Sequence, residues 1–193
     1  VRHTYLMLYK PRHVLSTTED PEGRKHVLDL VDLPGRTRLF PVGRLDAEAT
    51  GLILLTDDGD LANRLTHPRY EVPKGYQVSV KGKVTEDDLE KMKKGVFLAS
   101  QRAIRGGVRG AKSAAKRAAV ESVRIVNHEV DRTRGDRTTL AVTLKEGQNG
   151  EVRRLFARMG FKVRRLKRVS IGPLRLKGVA GAAWRPLEAR ELR

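Results

Sequence analysis

Hydrophobic and polar positions alternate with different periods along the chain, and each period predicts one kind of element. Residues 5 to 11, YLMLYKP, form an apolar run ended by proline, which is typical of a buried strand. Residues 74 to 84, KGYQVSVKGKV, alternate apolar and polar positions and predict a half-buried strand. In residues 149 to 160, NGEVRRLFARMG, apolar side chains recur at i, i+3, i+4 and i+7. That spacing predicts an amphipathic helix with Asn149 as its N-cap.

The segment from residue 40 to residue 68 predicts a strand, a loop, a second strand, a turn and a helix. The loop occupies residues 43 to 51, between two apolar runs, and Pro68 ends the helix. A second helix follows the strand at residues 74 to 84, with Thr85 as its N-cap and Gly95 as its stop.

The remaining elements set the predicted fold class. Strands are predicted at about 120 to 126 and 138 to 144, and a strand pair at 162 to 176. Hairpins with interspersed helices favour an α+β domain, with a mixed, mostly antiparallel sheet and flanking helices, over a doubly wound parallel sheet. We expect residues 1 to 193 to form one folding unit with a cleft, with possible lobes at about 1 to 70 and 71 to 193 that share one sheet.

The charge of the chain points to a polyanionic partner. Lys and Arg number 40 and Asp and Glu number 23, so the net charge is +17, which makes nucleic acid the expected partner. We find no apolar run of about 18 residues, and therefore expect no membrane partner. The N-terminal sequence resembles neither a signal nor a transit peptide, so we expect a reducing, cytoplasmic location.

Cysteine chemistry is excluded because the chain contains no cysteine. The five histidines are scattered without ligand spacing, so we expect no metal site: His3, His13, His26, His67 and His128.

Residues 100 to 119, SQRAIRGGVRGAKSAAKRAA, contain six Lys or Arg, three glycines and no acid. This composition predicts a mobile basic insertion, which is either a solvated loop or a segment that contacts RNA.

The predicted loop at residues 43 to 51 carries the candidate chemistry. Its sequence, GRLDAEATG, places Asp46 between two glycines. Such an aspartate often caps a turn or pairs with a neighbour such as Arg44. In a chain that attracts polyanions, however, an acid there weakens binding unless it performs chemistry or holds a cation in place.

Three motifs in this order resemble the ribosomal-RNA pseudouridine synthases: GRLDAEATGLILLTDDGDLANRLTHP, KGYQV and LKEGQNGEVRRLFARMGFKVRRLKRVSIGPLRL. The resemblance covers about residues 5 to 186, and EVRRL and LANRLTHP are more like the large-subunit enzymes. It implies the pseudouridine synthase catalytic fold with a central basic cleft, and isomerisation of one rRNA uridine to pseudouridine. It implies that Asp46 is the catalytic aspartate, that Tyr76 stacks on the target base, and that Arg153 pairs with the aspartate.

Each role has a simpler alternative: Tyr76 fits an ordinary core position, and Arg153 fits an unpaired surface position. The isomerisation cleaves the glycosidic bond, rotates the base and rejoins it through carbon, without redox change, so we expect no cofactor. Asp46 can attack the anomeric carbon or remove the 2′ proton to give a glycal, and the sequence leaves both routes open.

Cations that flank the cleft are expected to hold RNA phosphates, since residues 145 to 193 contain fourteen Lys or Arg and four acids. The candidates are Arg44, Lys74, Arg154, Arg165, Lys167 and Arg168.

Two departures from the family pattern bear on RNA binding. Gln148 and Gly150 stand where the family commonly has arginines. The family often also carries a small N-terminal RNA-binding domain, and we expect that this domain either precedes the first residue here or is replaced by the basic insertion.

The rival hypotheses are a non-catalytic rRNA-binding or ribosome-assembly protein with the same fold, and a structural ribosomal protein. Neither explains why GRLDAEATG contains its acid. We expect a monomer.

Overall fold

The computed structural model describes residues 2–35, 38–98, 116–145 and 150–193. The strands within these ranges are β1 (Tyr5–Lys10), β2 (Phe40–Val42), β3 (Thr50–Thr56), β4 (Lys74–Lys81), β5 (Val96–Leu98), β6 (Lys116–Ala118), β7 (Ser122–Glu129), β8 (Arg137–Leu144), β9 (Val163–Ile171), β10 (Leu174–Arg175) and β11 (Trp184–Pro186). The α-helices are α1 (Gly59–Thr66), α2 (Glu86–Lys94) and α3 (Glu151–Arg158), and short 3-10 turns occupy Val27–Leu30, Pro68–Tyr70 and Ala189–Leu192.

One large sheet runs through the molecule in the order β11-β1-β3-β9-β4-β8-β7, with β2 added to β3 and β10 added to β9. Only the β3–β9 pair is parallel among the described strands of this sheet. The prediction of an α+β fold with a mixed, mostly antiparallel sheet is therefore confirmed. In the described ranges, no helix is both long enough and apolar enough to cross a bilayer.

Alternation along the strands divides the core between the two faces of the sheet. On β1, Leu6 and Leu8 pack into one cluster with Ile53 of β3, whereas Met7 packs into another cluster with Leu54. The largest cluster contains the inward side chains of β4 and β8 and the buried faces of α2 and α3. The sheet is thus continuous from the β1–β3 region to the β4–β8 region, and a cleft lies where the two meet.

Helix α2 begins as its sequence predicts. The Thr85 side chain accepts a hydrogen bond from the backbone N–H of Asp88, and the Asp88 carboxylate accepts from the backbone N–H of Thr85. These reciprocal bonds satisfy two of the backbone donors that every helix start leaves free.

Helix α3 begins later than its sequence predicts. Its N-cap is Gly150, in the left-handed region at φ +71° and without a side-chain cap, so the prediction of Asn149 as N-cap is wrong; Asn149 itself lies outside the described residues. A position with positive φ favours glycine, because glycine has no Cβ.

The predicted basic insertion falls largely outside the described residues, which omit 99 to 115. Its last part is not a loop, since Lys116–Ala118 form β6, paired antiparallel with β5.

Candidate active site

The cavity at the centre of the sheet has a volume of about 310 Å³ and is lined by the residue-43-to-51 loop, β4, β9 and the start of α3. Asp46, Tyr76, Glu151 and Arg168 are among its lining residues. Side chains that are distant in sequence therefore converge on one concave space, which is the usual form of a ligand site.

The loop that carries Asp46 is fixed on both sides of the aspartate. The Ser16 hydroxyl donates to the carbonyl of Leu45 at 2.9 Å and accepts from the Leu45 N–H at 3.1 Å. On the other side, the backbone N–H of His13 donates to the carbonyl of Ala47 at 2.6 Å. The segment before residue 17 thus holds the loop by hydrogen bonds that do not use the Asp46 carboxylate.

Asp46 and Arg153 form an ion pair at the cavity. Arg153 Nε donates to Asp46 Oδ2 at 3.0 Å, and Nη2 donates to Oδ1 at 3.5 Å. Asp46 Oδ1 also accepts from the backbone N–H of Ala49 at 2.8 Å. The aspartate therefore caps a turn and holds a cation at once, and the cation is Arg153 of α3.

Exposure of this pair is compatible with contact to a ligand. The side chain of Asp46 is 37 % exposed and that of Arg153 is 29 % exposed. The pair therefore sits at the opening of the cavity rather than in the core.

Tyr76 lies in β4 on the inward face and is 8 % exposed. It belongs to the main hydrophobic cluster and also lines the cavity. The ring is thus a core residue at the edge of a concave space, which is where a stacking ring has to be if a base enters the cavity.

Arg168 occupies the position opposite Tyr76 in the β4–β9 register. It is 4 % exposed, and its Nε donates to the Leu52 carbonyl at 2.8 Å. Burial lowers the pKa of Arg168, and the Tyr76 side chain opposes this shift. The side chain is thus buried within the cavity wall, and its expected role in holding phosphates stays a prediction.

Lys74 and Arg44 both line the cavity. Lys74 is half-buried, and its Nζ donates to the Leu65 carbonyl at 2.9 Å. Burial, followed by the charge of Arg168, lowers the pKa of Lys74. Arg44 is exposed, so it is the more accessible of these two cations.

Arg165 and Lys167 lie on the other face of the sheet. In the register they stand beside Ser79 and Gln77, which point away from the face that carries Tyr76. Both line a second groove of about 540 Å³, where Lys167 Nζ lies 5.0 Å from the centre of the Tyr9 ring. They lie away from the cavity because successive side chains of a strand point to opposite faces, and their expected contact with RNA stays a prediction.

Arg154 is intermediate in burial between exposed Arg44 and buried Arg168. It is half-buried in α3 and, in the described part of the chain, is not among the residues that line the cavity.

Two charged residues at the site are absent from the sequence-based prediction. Lys10 is fully buried, and its Nζ donates to the carbonyls of Pro11 at 2.9 Å and Ala47 at 3.4 Å. Burial lowers the pKa of Lys10 to about 8, and the charges of Asp46 and Glu48 oppose this shift. The only sequence signal was a lysine at the end of an apolar strand, in YLMLYKP.

Glu151 is the second such residue. It is the first residue of α3, is 5 % exposed and lines the cavity. The hydrophobic stripe of the predicted helix gave no sign of a buried acid at this position.

Comparisons with known proteins agree with this geometry. The family described as RNA pseudouridylate synthase matches residues 4–158. A relative named uncharacterized RNA pseudouridine synthase, from Aquifex aeolicus, is 39% identical over 193 residues, which cover 99% of this chain and 69% of the relative. Ribosomal large subunit pseudouridine synthase B of Bacillus subtilis is 36% identical over 190 residues, covering 98% and 70%. The same-named protein of Vibrio cholerae is 38% identical, and 52% of its length is covered.

Solved structures extend the comparison to the fold. The crystal structure of a pseudouridylate synthase superposes with a TM-score of 0.75 at 28% identity, covering 99% of this chain and 73% of that one. Human RNA pseudouridylate synthase domain containing 1 superposes with a TM-score of 0.56 at 12% identity, which shows a shared fold alone. With a match over most of its length and relatives this similar, the chain belongs to the RNA pseudouridylate synthase family.

Proposed function

We propose that this protein converts a uridine of ribosomal RNA, in the large subunit, to pseudouridine, with Asp46 as the catalytic group. The observation that carries the proposal is the ion pair of Asp46 and Arg153 at the opening of a cavity lined by Tyr76. An RNA clamp without chemistry has no use for a carboxylate that faces a polyanion. The choice of the large subunit rests on the names of the relatives from Bacillus subtilis and Vibrio cholerae.

Asp46 acts on the sugar of a uridine that has left its stack. The carboxylate either attacks C1′ or accepts the 2′ proton to give a glycal, and in both routes the C1′–N1 bond breaks. The detached uracil turns within the cavity, and C5 then bonds to C1′. Arg153 orients the carboxylate by donating two hydrogen bonds to it.

Tyr76 offers its ring to the extruded base. Extrusion costs a few kcal/mol, while stacking on an aromatic side chain returns about 1 to 3 kcal/mol per base. The ring lies at the cavity wall and is held by the surrounding core, so it is already in place when the base arrives.

Cations at the opening of the cavity contact the RNA backbone, with Arg44 and Lys74 as the proposed phosphate-binding pair. The exposed guanidinium of Arg44 meets the strand first. Such contacts position RNA without reading its sequence, so RNA shape and loop contacts select the uridine.

The test is conversion of uridine in a large-subunit rRNA transcript by purified protein, read by mapping pseudouridine along the RNA. Asp46→Asn keeps the shape of the side chain and the acceptor for Ala49, and we expect it to lower the rate by at least about 100-fold. Glu48→Gln, in the same loop and paired with Arg12 at 2.7 Å, is the matched control and should keep the wild-type rate.

RNA affinity and thermal unfolding are measured alongside. We expect Asp46→Asn to fold and to bind RNA much as the wild type does. A wild type that binds rRNA tightly but converts no uridine would instead favour the non-catalytic ribosome-assembly hypothesis.

We also propose that the protein acts as a monomer in the cytoplasm, where bacterial-type rRNA is available to it. Light scattering of the protein during size-exclusion chromatography tests the oligomeric state.

A further inference from the structure

The guanidinium of Arg168 is a buried donor with an unused hydrogen-bonding group. Its Nε is bound to the Leu52 carbonyl, but its Nη2 is buried and has no hydrogen-bond partner. The guanidinium also interacts with the Tyr76 side chain, by charge and by a hydrogen bond, and no carboxylate of the described residues is among the groups that act on it. An unsatisfied buried donor lowers the stability of the fold, so its presence calls for an explanation such as a bound ligand.

The position of Arg168 is fixed by the backbone around it. Strand β3 approaches β9 at this residue so closely that a Cβ on Gly51 would lie 2.2 Å from the Arg168 carbonyl oxygen. With Nε anchored as well, the guanidinium cannot swing out to the surface without breaking its bond to Leu52. A ligand that uses Nη2 therefore has to come into the cavity.

The location of Arg168 identifies which part of a nucleotide this ligand is. Arg168 stands opposite Tyr76 in the sheet, and both line the cavity. A base that stacks on Tyr76 is brought beside Arg168, whereas the phosphates of the strand stay at the opening, near exposed Arg44. The group that meets Arg168 is thus the uracil ring.

We infer that Arg168 stabilises the negative charge that uracil carries while it is detached from ribose, an inference that rests on the function proposed above. When the C1′–N1 bond breaks, its electron pair stays with uracil and spreads from N1 onto O2 and O4. Arg168 remains protonated and donates a hydrogen bond from Nη2 to one of these oxygens. Uracil then uses the pair to bond C5 to C1′, the proton on C5 is lost, and N1 gains a proton, so the net reaction is an isomerisation.

A cation without a carboxylate partner suits this task better than a paired one. Neutral uracil gains only an ordinary hydrogen bond from Arg168, but the anion gains a charge interaction in a site shielded from water. The interaction is therefore stronger in the transition state than in the bound substrate, which is the condition for acceleration. Burial favours loss of the guanidinium charge, as the lowered pKa of Arg168 reflects, and an anionic partner reverses that tendency.

The test compares Arg168→Met with wild type in single-turnover reactions on an rRNA fragment that contains either uridine or 5-fluorouridine at the target. Loss of the target nucleoside is followed by chromatography after digestion. With uridine, we expect Arg168→Met to react about 100-fold to 1000-fold more slowly while its RNA affinity changes far less. Fluorine makes uracil a better leaving group, so the deficit should shrink by at least about tenfold with 5-fluorouridine.

Matched variants separate charge from packing. Arg168→Lys keeps the cation and should lose less activity than Arg168→Met. Arg164→Met makes the same change in the same strand at an exposed position and should match wild type with both substrates. Should thermal unfolding show that Arg168→Met is unfolded, Arg168→Gln, which retains a donor for Leu52, takes its place.

An equal deficit with both substrates would overturn the inference and leave Arg168 as a positioning residue for Tyr76. A loss of RNA affinity that accounts for the whole effect would overturn it as well. A wild type inactive on both RNAs, by contrast, would contradict the proposed function itself.

Discussion

At Gly51 an added side chain would meet backbone atoms of the neighbouring strand, and Gly51→Ala gives a quantitative test of the fold around the cavity. Gly51 pairs with Lys10 of β1 and with Arg168 of β9. An added Cβ would lie 2.2 Å from the Arg168 carbonyl oxygen and 2.7 Å from its backbone nitrogen. Since both neighbours are backbone atoms, no side-chain rotation relieves the overlap.

Two costs add up at this position. The residue has φ +109°, and holding a non-glycine residue there costs about 1 to 3 kcal/mol. Separating β3 from β9 to admit the methyl group costs about 1 to 3 kcal/mol more. The expected loss in the free energy of unfolding is thus about 2 to 6 kcal/mol, or a Tm lower by about 4 to 24 °C for a chain of this size.

Gly43, at the other end of the loop, is the matched control. It also has positive φ, at +72°, but an added Cβ would meet only Thr66 Cγ2 at an ordinary distance of 3.5 Å. Gly43→Ala should therefore cost only the backbone term, about 1 to 2 kcal/mol. Urea unfolding and thermal unfolding of both variants measure the difference.

The comparison also has a functional readout. Because the overlap falls on the backbone of Arg168, Gly51→Ala should lower the single-turnover rate more than Gly43→Ala does. The reasoning is refuted if Gly51→Ala unfolds at the same temperature as Gly43→Ala, since the close approach of β3 and β9 would then carry no cost.

Two further predictions concern charge. Burial lowers the pKa of Lys10 from 10.5 to about 8, so the unfolded chain binds this proton more tightly than the folded chain. The free energy of unfolding of the wild type relative to Lys10→Met should therefore rise from about pH 8 to pH 10.5. A difference in urea-unfolding free energy that stays constant over that interval contradicts the burial of a charged Lys10. The affinity of Asp46→Asn protein for an rRNA fragment should fall as the salt concentration rises. The slope of log K against the logarithm of the salt concentration should be about −0.7 to −0.9 for each phosphate neutralised. An affinity that does not change with salt would contradict binding to the RNA phosphates.

Most of the fold follows from local patterns in the sequence. The alternation around Tyr76 and the stripe of Val152, Leu155 and Phe156 each predict the element that forms, because one face of each is buried against a large cluster. The long-range pairing does not follow in the same way. Strands β3 and β9 are more than a hundred residues apart, and the parallel pairing of Thr50 with Lys167 and of Gly51 with Arg168 brings them together.

The candidate site was also predicted only in part from the sequence. The resemblance to known synthases drew attention to Asp46, Tyr76 and Arg153. The structure places Asp46 and Tyr76 in the lining of one cavity and pairs Arg153 with Asp46; their roles stay predictions. Residues that hold the loop were not predicted, since a hydrogen bond such as that from Ser16 to Leu45 depends on tertiary contact and leaves no periodic signal.

In strand β9, the alternation of side chains predicts which basic residue faces the cleft, whereas a count of charges does not. Arg165, Lys167 and Arg168 contribute equally to the basic tally of the C-terminal region, yet Leu166 is the apolar residue that must face the core. Alternation from Leu166 puts Arg168 on the core side and the other two outside, as the register shows. The cleft therefore receives one cation from this strand, in the wall beside Tyr76, and the proposed phosphate contacts come from other elements. The loop before β3 and the start of β4 supply Arg44 and Lys74 to the cavity, whereas substitutions of Arg165 or Lys167 test the second groove, which these two residues line.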